Sequence, residues 1–96
     1  MVSQEYIARA CRALRRSDPA GLGEELEGLI EECRLDLTGA GVRPDRAQDE
    51  EDPLIFGAVR CYLRWKFGMN NNEAALNRED YLLLRDELRK RVDYAV

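Results

Sequence analysis

The apolar residues of this 96-residue chain recur at helical spacing, and that feature constrains the fold more than any other. Ile7, Ala10, Cys11 and Leu14 step at i, i+3, i+4 and i+7, which places them on one stripe of a helix. Leu22, Leu26, Leu29, Ile30, Cys33 and Leu37 form a second stripe. Two adjacent stripes follow, one of Ile55, Val59, Tyr62 and Leu63, the other of Leu54, Ala58, Cys61 and Trp65. Tyr81, Leu84, Leu88, Val92 and Ala95 make the last, with Leu76 and Leu83 beside it. No alternating run of β-branched residues marks a strand. The expected class is all-α: a small four-helix bundle filling one domain, 1–96, because a second core would leave each half too small to fold alone.

Start and stop signals divide the segments. Ser3 is the expected N-cap of a helix running to about Arg16. Asp18-Pro19 opens the second, with proline at its first position, and Gly39 and Gly41 close it near Thr38. Gly21, Gly23 and Gly28 weaken that helix by roughly 1 kcal/mol each wherever they fall in its interior. Asp52-Pro53 opens the third helix, which Gly68 ends. Asn70-Asn71-Asn72 turns the chain into a fourth helix reaching about Val92. Residues 39–52 contain Gly39, Gly41, Pro44 and the run Asp49-Glu50-Glu51-Asp52, and are expected to form a long, exposed, mobile acidic loop.

Several function classes are disfavoured. The chain has no histidine, which removes the commonest general base and metal ligand, so no Ser-His or Cys-His pair is possible. Cys11, Cys33 and Cys61 lie far apart with no Cys-x-x-Cys pair, against both a zinc site and a disulfide framework, and each is expected buried and reduced. Neither phosphate-binding glycine motif occurs, and the 49–52 acids lack the spacing of a calcium loop. The expectation is no enzyme, catalytic residue, cofactor or metal. No apolar stretch is long enough to span a membrane and no signal peptide opens the chain, so a cytosolic protein is expected.

Net charge is −4, but unevenly spread. Residues 1–16 carry +3, residues 17–52 carry −9 and residues 53–96 carry +2. Such polarity suits association through unlike charges better than it suits wrapping nucleic acid. Thirteen of the fifteen basic residues are arginine, which pairs with carboxylate as readily as with phosphate.

Taken in order, Asp36-Leu37-Thr38-Gly39-Ala40-Gly41-Val42, then Asp52-Pro53-Leu54-Ile55 with Ala58-Val59, Tyr62 and Phe67-Gly68, an Asn-rich turn, and Tyr81-Leu82-Leu83-Leu84-Arg85-Asp86-Glu87-Leu88 resemble small bacteriophage head–tail connector proteins, also described as phage DNA-packaging proteins. The similarity covers roughly residues 20–90. The chain departs from the pattern in the Arg43–Glu51 loop and in its arginine-rich first helix.

The resemblance implies a structural virion protein of a phage or prophage, assembled in the bacterial host cytoplasm. Its subunits form a homo-oligomeric ring beneath the portal protein and extend the DNA channel. The ring also offers a surface to the next tail or head-completion protein. DNA passes through without specific binding, no membrane is involved, and no cofactor is implied; the isolated subunit can be monomeric. Surplus acid suits such a channel, because phosphates are repelled. Across subunits Glu24, Glu25, Glu31 and Glu32 are expected to meet Arg9, Arg12, Arg60 or Arg64. The alternative function is a small helical DNA-binding or regulatory protein, suggested by the arginines of the first, third and fourth helices.

Overall fold

The computed structural model describes residues 2–14, 23–67 and 71–96, with the side chains of Asn71 and Asn72 set aside. Five helices lie within these residues: α1 (Gln4–Ala13), α2 (Gly23–Ala40), α3 (Pro44–Ala47), α4 (Pro53–Phe67) and α5 (Asn71–Lys90). The chain is all-α, with no strand among the described residues; the expected four helices become five through the short α3. Arg15, Arg16, the Asp18-Pro19 signal, Gly21, Leu22, Gly68 and Asn70 lie outside the described residues.

Local chemistry explains the helix starts. The Ser3 hydroxyl accepts the Tyr6 amide at 3.0 Å, capping α1. The Asp52 carboxylate accepts the amides of Leu54 and Ile55, at 2.8 and 3.3 Å, and Pro53 occupies the first position of α4. Gly39 continues α2 rather than ending it. The helix stops at Gly41, whose φ of 117° is strained for any residue with a Cβ.

The core joins all five helices. Leu26, Ile30, Cys33 and Leu37 of α2 meet Ile55, Val59 and Leu63 of α4, with Tyr6, Ile7 and Ala10 of α1 and Tyr81 and Leu88 of α5. Arg9 stacking on Phe56 and Arg64 bonding to Ala13 set α1 and α4 side by side and parallel. The molecule measures 37 × 30 × 18 Å, and its thin dimension leaves room for two layers of helix.

Three expectations are corrected. Residues 39–52 are packed rather than an exposed irregular loop: Val42 and Ala47 lie in the core, α3 forms within the segment, and Asp52 is buried. The C-terminal residues clasp it, with Val42 and Ala95 forming an antiparallel bridge, Arg43 donating its amide to the Tyr94 carbonyl at 2.8 Å, and Val96 to that of Gly41 at 3.0 Å. The last apolar stripe ends early. α5 stops at Lys90, so Val92 leaves the helical register and is 95% exposed. Leu76 and Leu83 face away from Tyr81 and Leu88 and stand outside the core.

Candidate assembly surfaces

Two charged faces emerge from how the helices pack. α2 and α4 meet through their buried stripes, so the faces opposite those stripes point away from each other. The outer face of α2 carries Glu24 and Glu31, flanked by Glu25 and Glu32, with Leu35 between them at 74% exposure. The outer face of α4 carries Pro53, Leu54, Gly57, Arg60 and Arg64, and α1 runs alongside it. The expected acids therefore gather on the outer face of α2 and Arg60 and Arg64 on that of α4, two faces that point away from each other.

The eight expected interface residues divide into two kinds. Arg9 reaches inward: its guanidinium lies 4.4 Å from the Phe56 ring centre and donates to the Glu50 carbonyl at 3.0 Å. Arg64 donates to the Ala13 carbonyl at 2.9 Å, satisfying a carbonyl at the end of α1. Glu31 lies 3.9 Å from Arg34, and Glu32 accepts the Tyr62 hydroxyl and sits 3.6 Å from Lys66. Arg12, Glu24, Glu25 and Arg60 stand exposed on the outer faces. Arg64, Glu31 and Glu32 keep further donor and acceptor capacity for a second contact.

Apart from the Asp52 cap, sequence reasoning missed the polar groups that tie the elements together. Arg34 is 5% exposed and donates to the Glu50 carboxylate at 3.0 Å, with its guanidinium 5.4 Å from the Tyr6 ring centre. The same carboxylate accepts the Ser3 amide and hydroxyl, so one side chain of the acid run joins α1, α2 and the 41–52 segment. Burial pushes the Glu50 carboxyl up, but the Ser3 bonds and the Arg34 guanidinium outweigh it and hold the group below its ordinary 4.5. Asp36 accepts from both Tyr81, at 2.6 Å, and Arg85, at 2.8 Å, tying α2 to α5. Tyr94 donates to Asp52 at 2.6 Å, and that bond, with burial, raises the phenol to about 12. A usable signal existed for Arg34 alone: it falls four residues after Ile30 and three before Leu37, on the edge of the buried stripe.

Chemically, these groups are structural ties. The cysteines are buried thiols outside any disulfide, and burial raises the Cys33 thiol to about 12. No cluster of three metal-ligating side chains occurs among the described residues, and no helix there is long and apolar enough to cross a membrane. A shallow hollow of about 230 Å³ is lined by Ser3, Glu5, Tyr6, Arg9, Glu50 and Glu51, whose polar groups are largely engaged with one another. Set against protein-family models, curated proteins and solved structures, the chain matches none of them.

Proposed function

We propose that this chain is a structural subunit of a phage or prophage head–tail connector, a self-assembling protein rather than an enzyme. In this reading copies join into a ring below the portal protein during virion assembly and extend the channel through which DNA passes. The ring presents its far side to the next tail or head-completion protein. The observation that carries the reading is the separation of acid and arginine onto the outer faces of two helices, α2 and α4, that point away from each other. Two unlike faces pointing apart favour a heterologous contact, in which each copy uses one face on each neighbour, and such contacts close into rings when the rotation permits. The ordered motifs from Asp36-Leu37 to Tyr81-Leu88 supply the phage context.

Electron microscopy of the purified chain with the portal protein from the same genome tests this. Rings seated on the portal support it; neither ring nor portal binding overturns it. A second reading, a small DNA-binding protein, is favoured by the exposed Arg12 and Arg60 on neighbouring helices. A gel-shift titration at about 50 mM salt separates the two, since phosphate contacts give tight low-salt binding that collapses as salt rises.

A further inference from the structure

Two features of the outer faces have no use within a single copy. Leu35 stands at 74% exposure on α2, and Leu54 at 39% on α4, each among charged residues. Near both lie helical glycines whose missing Cβ would meet nothing: Gly28 and, in the last turn of α2, Gly39 on the face of Leu35, and Gly57 on the face of Leu54. Glycine in a helix interior, as at Gly28 and Gly57, costs roughly 1 kcal/mol relative to alanine, and packing inside the chain does not require glycine at any of the three positions. What a bare helix surface does permit is the close approach of another helix, which a side chain there would prevent.

The geometry points to a specific docking contact between copies: the outer face of α2 on one copy packs antiparallel against the outer face of α4 on a second. The partner is a second copy of this chain because only the two faces together satisfy shape and charge. With the helices antiparallel and Leu35 seated at Gly57 of the second copy, one turn along brings Leu54 of that copy against Gly39. One turn the other way brings Arg60 of the second copy between Glu31 and Glu32. A further turn puts Arg64 beside Gly28, within side-chain reach of Glu24 and Glu25. Each exposed leucine thus meets a glycine and each arginine meets acid. In a parallel arrangement Leu54 falls among the glutamates and Arg60 beside Gly39, which loses both matches. Because the two faces point away from each other, the contact leaves one of each free on every pair and propagates.

This contact rests on the self-assembly part of the connector reading, and its test needs no portal. Leu35→Cys and Leu54→Cys chains are prepared separately, mixed at roughly 100 μM, where micromolar contacts are populated, and treated with a short bis-maleimide. Their native cysteines are buried, and the unsubstituted chain serves as the control. The expected product is a Leu35→Cys/Leu54→Cys heterodimer, with little homodimer from either variant alone. Absence of the heterodimer, or homodimers formed equally well, overturns the contact. Gly57→Leu and Arg60→Glu in the Leu54→Cys chain should each cut the yield about tenfold, with melting temperatures not lowered. Adding Glu31→Arg to the Leu35→Cys chain should restore the loss caused by Arg60→Glu; undiminished yields in both variants also overturn it. Rings on the portal without the cross-link refute this contact alone, whereas the cross-link without portal binding refutes the connector reading alone.

Discussion

At the scale of single residues, Glu50 decides more than its place in an acid run suggests. Its carboxylate is the partner of a buried guanidinium and also accepts from the Ser3 amide and hydroxyl. Removing it by Glu50→Ala strands Arg34, and the expected cost is about 2 kcal/mol. That is less than for a fully enclosed pair, because water reaches 25% of the Glu50 side chain. In a chain of this size it lowers the melting temperature by roughly 10 °C, measurable by circular dichroism. The pH dependence follows from the sign of the shift. A carboxyl held below its ordinary 4.5 in the folded state adds stability that is present above that value and lost as pH falls through the folded pKa. Acid unfolding should therefore steepen below pH 4.5 in the native chain and flatten in Glu50→Ala, as urea midpoints at pH 3 to 7 will show. The cysteines make an independent check. With Cys33 raised to about 12 and all three buried, a thiol reagent at about pH 8 should find almost no fast-reacting sulfur in folded protein and three after denaturation. A rapid native stoichiometry of one or more contradicts the packing described.

Among the elements, the helices divide by what positions them. Ser3 and Asp52 work as caps because the needed groups lie within three residues, and short-range chemistry of that kind is legible in sequence. The 39–52 segment was not legible. Its order comes from Val42 and Asp52 being held by Ala95 and Tyr94, 53 and 42 positions away, and no local spacing encodes that. Two glycine substitutions separate the local cause from the remote one. Gly41→Ala should destabilise by about 1–2 kcal/mol, since φ of 117° is strained for any residue with a Cβ. Gly28→Ala should stabilise by up to about 1 kcal/mol, because the site is helical and the space beside it open. Thermal melts of both variants test the pair together: equal shifts of the same sign would show that backbone conformation is not what distinguishes the two glycines.

For the whole molecule, the charge of −4 resolves into faces. Acids line the outer face of α2 and Arg60 and Arg64 that of α4, and the two faces point away from each other. Association between such faces weakens as salt screens them, because at 1 M ionic strength the Debye length falls to about 3 Å. Sedimentation at about 50 mM and 1 M salt should show self-association reduced at the higher value; an increase would mean that apolar burial, not charge, drives it.

What the sequence by itself determined is the class of the fold, the capped starts of α1 and α4 and the extent of α4, because apolar periodicity and caps act over a few residues. It also determined the segregation of charge along the chain. Only the tertiary structure decided which acids are free to face a partner and which are used inside. Glu50 and Asp36 are engaged by other elements of the same chain, Glu24 and Glu25 stand exposed on the surface, though all four look alike in sequence. The reason is physical: a carboxylate's role depends on which cation or hydroxyl the fold brings within 3 Å, and those partners lie 16 to 49 residues away. Leu76, Leu83 and Val92 carry the same lesson for apolar groups, since a helical stripe says which residues share a face but not where the packing of that face ends.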